Sequence, residues 1–67
     1  MNANMLRSFM ALYGDTNKTL AGYLGITPQT LSDKINERGT EFRHSEMTLI
    51  RDRYKLTPEQ FDAIFFN

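Results

Sequence analysis

A glycine between two short apolar-patterned stretches, in the segment TLAGYLGITPQTLSDKIN at residues 19–36, most restricts how this chain can fold. Before the glycine, Leu20, Ala21 and Leu24 lie on one face of a predicted helix. Gly25 then ends that helix, and it is expected to adopt the left-handed conformation, which costs other residues roughly 1 kcal/mol or more. Two helices that meet at a wide angle across a short turn need a small residue where they cross and a glycine where the chain reverses. Ala21 and Gly25 fit those positions, so the segment predicts an angled pair of helices.

The second helix of this pair has one apolar and one polar face. It begins at Thr27 and Pro28, where a hydroxyl can cap the helix and a proline at the first position costs no hydrogen bond. Leu31 and Ile35 face the core, and at about 100° per residue the polar residues cluster on the other side. That polar face consists of Gln29, Ser32, Asp33 and Asn36. Short side chains rich in hydrogen-bond donors and acceptors suit contact with a ligand better than a core.

Three further helices are predicted outside this pair. An apolar period in residues 6–13 predicts a first helix that ends at Gly14, and a fourth helix follows from about Ser45. Another threonine-proline start at Thr57 predicts the last helix, and Gln60 completes its capping box. The predicted inward side chains are Leu6, Phe9, Met10, Tyr13, Met47, Ile50, Tyr54, Phe61, Ile64 and Phe65. With no strand-like alternation, the pattern predicts an all-α fold, a compact bundle of about five short helices.

Length and composition restrict the class of function. The chain of 67 residues is expected to form a single domain over 1–67, with no room for a separate catalytic domain. It contains no cysteine, which excludes a disulfide framework and thiolate metal sites. No stretch approaches the roughly 20 apolar residues of a membrane span, so a cytoplasmic protein without membrane association is expected. The one histidine, His44, and the scattered carboxylates form no catalytic or metal-binding pattern, so we predict no enzyme activity, metal, cofactor or small-molecule substrate.

The net charge gives no clear indication of a nucleic-acid partner. Eight Lys and Arg balance eight Asp and Glu, although binding to phosphates normally favours a basic excess. Residues 34–55 carry six basic against four acidic side chains, a small local surplus. Because the net charge is zero, a second class of function stays open beside nucleic-acid binding. This is a protein-interaction module, such as an antirepressor, built on the same scaffold.

The central segment TLAGYLGITPQTLSDKIN resembles the helix-turn-helix of the lambda-repressor-like (Cro/XRE) family, in which an LA…LGI run leads into a TLS…IN recognition helix. The tail EFRHSEMTLIRDRYKLTPEQFDAIFFN is similar to small prophage-type regulators of that family. The resemblance covers about residues 16–66, with the motif at about 17–36. It implies a lambda-repressor-like DNA-binding domain that places the helix from Pro28 to Asn36 in the major groove.

The resemblance also implies which residues meet the bases. Gln29 and Asp33 would face base edges, with Thr30 and Ser32 beside them. Independently, glutamine can pair with adenine at N6 and N7, and aspartate can accept from the amino group of cytosine. Asp33 departs from the family, which usually has a basic or neutral residue there, and a carboxylate in the groove repels phosphates unless it is paired.

Phosphate contacts are expected around this helix. Asn17, at the start of the preceding helix, resembles the family's polar residue that holds a phosphate. The full set of expected phosphate contacts is Asn17, Thr27, Lys34, Asn36, Arg38 and Arg43. Phe42 should anchor the loop that carries Arg43. Either Ser45 caps the fourth helix, or Arg43 stands in the cap position and is kept for phosphate.

These expectations together describe a small prophage-type transcriptional regulator, a Cro-like or repressor-like protein that binds specific double-stranded DNA. One such domain makes few base contacts, so specific binding should need two copies on half-sites about one turn apart. A homodimer on DNA is therefore an expected form, and an exposed Phe66 is a candidate contact between copies.

Overall fold

Five short α-helices make up the regular structure of the computed structural model, which describes residues 1–67. In chain order they are α1 (Ala3–Leu12), α2 (Asn17–Leu24), α3 (Pro28–Ile35), α4 (His44–Tyr54) and α5 (Pro58–Phe65). There are no β-strands. The predictions of an all-α fold and of about five short helices are therefore confirmed. None of the helices combines the length and the apolar character needed to cross a membrane.

Threonine caps begin three of the helices, and the caps predicted at Thr27 and Thr57 are confirmed. The side chains of Thr16, Thr27 and Thr57 each accept a hydrogen bond from the backbone N–H three residues later. At α5 the box is reciprocal, because Gln60 Oε1 accepts from the Thr57 backbone N–H at 2.9 Å. A cap of this kind typically contributes about 1 kcal/mol. That is a large contribution for helices of 8 residues, which are too short to be stable alone.

Helix α4 begins slightly earlier than predicted and is capped differently. Its N-cap residue is Arg43, whose guanidinium has no acceptor with which to bind a backbone N–H. Instead, Glu46 reaches back, and its Oε1 accepts from the Arg43 backbone N–H at 2.8 Å. Ser45 lies inside the first turn. The alternative in which Ser45 caps this helix is therefore wrong.

Each helix contributes one large aliphatic side chain that is fully buried in a common core. These are Leu6, Leu20, Leu31, Ile50 and Ile64, in chain order. The remaining buried apolar residues are Met10, Ala21, Leu24, Ile35, Phe42, Tyr54 and Leu56. Burial of Phe42 ties the loop between α3 and α4 to the core, as predicted.

Helices α2 and α3 meet at a glycine corner. Gly25 has a φ of 75°, in the left-handed region, and it ends α2 as predicted. The corner is closed by the backbone N–H of Ile26, which donates to the carbonyl of Ala21 at 3.0 Å. Ala21 is itself fully buried. The corner therefore fixes the direction of α3 relative to α2.

Alanine substitution at the two glycines of α2 and its cap should change stability in opposite directions. For Gly25→Ala no atom lies within 4 Å of the added Cβ, so the cost is that of the left-handed backbone, about 1 kcal/mol. Gly22 lies inside the helix with the same free space, and Gly22→Ala should stabilise by about 0.5–1 kcal/mol. Urea unfolding of both variants measures the difference. Equal shifts at the two positions would mean that the corner imposes no backbone restraint.

Candidate nucleic-acid interface

The polar face of α3 points away from the core. Gln29 and Asn36 are exposed, and Ser32 and Asp33 are half-buried on the same side of the helix. The side chain of Asp33 keeps 32% of its surface open to solvent. The rest of the chain covers this face only in part, so its amide, hydroxyl and carboxylate groups are accessible to a ligand.

Groups on this face are hydrogen-bonded to one another across single helical turns. Gln29 Nε2 donates to Asp33 Oδ1 at 3.0 Å, and Asn36 Nδ2 donates to the Ser32 carbonyl at 2.9 Å. Because a carboxylate can only accept, Asp33 orients the amide of Gln29 with its NH₂ group toward the carboxylate. The Gln29 carbonyl oxygen and the second amide hydrogen remain free. The glutamine therefore presents one acceptor and one donor in a fixed order.

Asp33 is the acidic group of the face, and a cation lies near it. Arg38 Nη1 is 3.7 Å from Asp33 Oδ1. Both side chains are partly exposed, at 62% for Arg38 and 32% for Asp33, so water screens the pair and its contribution is at most about 1 kcal/mol. Arg38 partly offsets the repulsion that this carboxylate would exert on phosphates.

Thr27 and Thr30 use their hydroxyl groups in the cap of α3. The Thr27 hydroxyl donates to Thr30 Oγ1 at 2.9 Å and accepts from the Thr30 backbone N–H at 3.1 Å. Thr27 is exposed and Thr30 is half-buried. Both lie at the N-terminal end of α3, because Thr27 is its N-cap residue and Thr30 lies in its first turn. Base contact by Thr30 and phosphate contact by Thr27 stay predictions.

Lys34 lies inside the protein, although the sequence predicts that it contacts a phosphate. The residue is only 5% exposed. Its Nζ donates to Glu46 Oε1 at 3.0 Å and to the Glu41 carbonyl at 3.1 Å. The ammonium is buried on the inward side of α3 because Glu46, on α4, supplies the opposite charge that burial requires. No local pattern in the sequence indicates this pairing.

Four other predicted phosphate contacts are on the surface. Asn17 is the first residue of α2, and Arg43 is the N-cap of α4; both are exposed. Backbone N–H groups at such helix ends favour anions. Asn36 and Arg38, also exposed, follow directly after α3. The structure thus leaves these four side chains accessible to a ligand.

Arg7 of α1 joins this surface although the sequence did not predict it. Its Nη2 donates to Asn36 Oδ1 at 3.1 Å, and both residues are exposed. The two are 29 positions apart in the chain, so only the tertiary fold brings them together. In the sequence Arg7 is simply a polar position on an amphipathic helix. The contact adds a cation beside the C-terminal end of α3.

Comparison with known proteins adds no family to this geometry. No protein-family model, curated protein or solved structure matches the chain. Its function has to be inferred from the chemistry of α3 and of the side chains around it.

Proposed function

We propose that this chain is a sequence-specific double-stranded DNA-binding protein, a small prophage-type transcriptional regulator of the lambda-repressor-like (Cro/XRE) kind, without enzyme activity. The observation that carries the proposal is the solvent-facing, hydrogen-bonding side of α3, the helix that follows the Gly25 corner. The major groove of B-DNA is about 12 Å wide and admits an α-helix. In this proposal α2, the corner and α3 form a helix-turn-helix.

Gln29 and Asp33 are the proposed base readers. The free acceptor and donor of the Gln29 amide match N6 and N7 of adenine, and a pair of this kind discriminates by about 1–3 kcal/mol. The second oxygen of Asp33 can accept from the amino group of cytosine. Ser32 and Thr30 would lie beside these contacts.

The proposed backbone contacts surround the base readers. Asn17 and Thr27 lie at the starts of α2 and α3, while Asn36, Arg38 and Arg43 lie beyond the end of α3, and Arg7 joins them across the fold. Such contacts fix register but carry no sequence information. Since one domain reads few bases, two copies would bind half-sites about one turn apart, as a homodimer or by assembly on the DNA.

Gln29→Ala should relax base preference at one position of the bound sequence. Loss of the paired amide contact should reduce discrimination there by roughly 5- to 150-fold, with other positions unchanged. The measurement is selection of bound duplexes from a random pool, with wild type and variant compared position by position. A wild-type protein that enriches no sequence at low salt would contradict the proposal.

Arg43→Ala should weaken binding to all sequences about equally. This exposed arginine would neutralise one phosphate, so its loss should reduce the slope of log affinity against log salt by about one. Arg51→Ala is the matched control, because Arg51 is also an exposed arginine but pairs with Asp52 on α4. The same effect at both positions would mean that only net charge matters, and that the surface around α3 is not the contact.

A protein-interaction module is the second candidate. It is favoured by the pairing of Asp33 with Gln29 and Arg38, which occupies groups that DNA would use, and by the zero net charge. An antirepressor-like protein would bind another regulator through the same scaffold. In that case no duplex would be enriched at low salt, and Gln29→Ala would leave the behaviour toward DNA unchanged.

A further inference from the structure

A cleft of about 280 Å³ opens between the C-terminal end of α3, the loop that follows it, and the C-terminal end of α5. Its apolar lining consists of Met1, Phe42, Met47, Phe65 and Phe66. The rings of Phe42 and Phe65 pack edge to face, with their centroids 5.7 Å apart, whereas Phe66 is 66% exposed. The volume lies just below the range of about 300–1,000 Å³ that is usual for small-molecule pockets. It suits one anchoring side chain of a partner better than a cofactor.

Two carboxylates line the same cleft. Glu37 and Glu41 belong both to its wall and to an open polar cleft beside it. The side chain of Glu41 forms no hydrogen bond or ion pair within the chain, whose ion pairs all involve other carboxylates. Lys34 also lines the cleft, but its ammonium is already bound to Glu46. An apolar floor is therefore combined with an acidic rim.

The rim already accepts one cation. The ammonium group of Met1 lies 2.7 Å from Glu37 Oε1, and the Glu37 side chain remains 56% exposed. Glu41 has no such partner. A ligand that enters beside Phe42 and Phe66 can therefore meet a free carboxylate at Glu41 and a second, solvent-accessible one at Glu37.

We propose that this cleft binds a segment of another protein in which a large apolar side chain stands next to lysine or arginine. The apolar side chain would fill the space between the aromatic rings and Met47, and the flexible thioether of methionine adapts to different shapes. The cation would pair with Glu41 and, beyond it, Glu37. This proposal does not depend on DNA binding. The cleft lies next to the end of α3, because Glu37, in its wall, follows shortly after that helix.

Charge complementarity selects this partner over other occupants. A symmetric contact between two copies would set the same surface on both sides, and Glu37 and Glu41 of both copies would then approach each other without a free cation. DNA phosphates would be repelled in the same way. A neutral apolar molecule would fill the floor but leave Glu41 unpaired.

The test is an NMR titration of the isotope-labelled chain with three capped pentapeptides. One has leucine between lysine and arginine, one has leucine between two glutamates, and one has alanine between lysine and arginine. We expect the first to shift the amide signals of Phe42, Met47 and Phe66. Its affinity should exceed that of the acidic peptide by at least about fivefold and that of the alanine peptide by about tenfold.

Two variants distinguish an effect of the rim carboxylates on peptide affinity from a general effect of net charge. Glu41→Gln should lower the affinity for the basic leucine peptide by about threefold or more without disturbing the fold, since its side chain has no internal partner. Glu59→Gln removes an exposed carboxylate of α5 outside the cleft and should change nothing. Equal losses for the two variants, equal binding of basic and acidic peptides, or no shifts at millimolar peptide would each overturn the proposal. Cleft signals that move on dilution of the protein alone would assign the cleft to a second copy, and would also overturn it.

Discussion

Asp15→Asn should lower the free energy of unfolding by about 2–4 kcal/mol at pH 7, less than the about 3–5 kcal/mol of a fully buried ion pair, because the side chain of Arg53 is 30% exposed while that of Asp15 is 4% exposed. A chain of 67 residues has a total stability of roughly 3–10 kcal/mol. The substitution keeps the shape of the side chain but replaces one acceptor with a donor. The substitution should therefore remove a large part of the stability of the chain at neutral pH.

The reason for so large an effect is the number of donors that converge on Asp15. Its side chain is only 4% exposed, and Arg53 donates to it from Nε and Nη2, both at 2.7 Å. The hydroxyls of Tyr54 and Thr19 donate at 2.7 and 2.8 Å. Arg53 also lies over the ring of Tyr23, 4.6 Å from its centroid. An amide NH₂ group in this position would face donors from α2 and α4 and leave Arg53 without its counter-charge.

The same contacts give the effect a defined pH dependence. Hydrogen bonds from Arg53, which outweigh the opposing effect of burial, and further bonds from Tyr54 and Thr19 hold the pKa of the Asp15 carboxyl far below its usual range. Because the folded-state pKa is lowered, the stabilisation is complete above the unfolded-state pKa of about 3.9 and is lost as the pH falls below it. The difference between wild type and Asp15→Asn should therefore be largest above about pH 5 and should shrink toward pH 3.

Urea unfolding at pH 7 and pH 3 measures this difference, with Asp52→Asn as the control. Asp52 is also an aspartate bound to an arginine, since Arg51 donates to it at 3.1 Å, but its side chain is 58% exposed. An exposed pair of this kind contributes at most about 1 kcal/mol. Similar losses in the two variants, or a loss at Asp15 that is the same at both pH values, would contradict the role given to the buried network.

The sequence predicts the local features of this fold well. Caps at Thr27 and Thr57, the left-handed Gly25 and the split of α3 into two faces all follow from residues within one or two turns of each other. Helix period and capping chemistry act over that range. The exposure of Gln29 could be predicted for the same reason, since Leu31 fixes which side of α3 faces inward.

The sequence does not predict the partners of buried charges. Asp15 and Arg53 are 38 positions apart, and the sequence offers no period or motif that joins them. Lys34 could not be distinguished from a surface lysine until the fold placed Glu46 beside it. Arg7 likewise reaches the candidate interface only through tertiary contact. Each of these depends on how helices pack, which spacing along the chain does not specify.

Buried pairing also bears on the charge that DNA would meet. The pairs Asp15–Arg53 and Lys34–Glu46 each neutralise one basic residue with one acidic residue, so the rest of the chain stays neutral. Any attraction for phosphates must then come from the distribution of charge. Exposed cations lie at Arg7, Arg38 and Arg43 around α3, whereas α5 carries only the acidic Glu59 and Asp62 among its charged residues.

Lys34→Met should lower the free energy of unfolding by about 3–5 kcal/mol. The pair with Glu46 is 3.0 Å long, and its side chains are only 6% and 8% exposed. Methionine is similar in length to the lysine side chain, but it leaves the Glu46 carboxylate buried with the Arg43 backbone N–H as its remaining donor. The charge-conserving double variant with Glu46→Gln should recover most of the loss, because a neutral amide can still accept from that N–H. Denaturation of wild type, both single variants and the double variant forms a cycle that isolates the coupling.

The double variant also decides between the two roles considered for Lys34. If Lys34 is purely internal, Lys34→Met with Glu46→Gln should keep the wild-type slope of log DNA affinity against log salt, whereas Arg43→Ala should reduce it by about one. Because the two substitutions cancel in net charge, a change of slope could not come from overall charge. A slope that falls by one in the folded double variant would mean that Lys34 leaves Glu46 and reaches a phosphate when DNA binds. DNA binding would then break the pair that Lys34 forms with Glu46 in the free protein, and Lys34 would contact a phosphate as the sequence predicts.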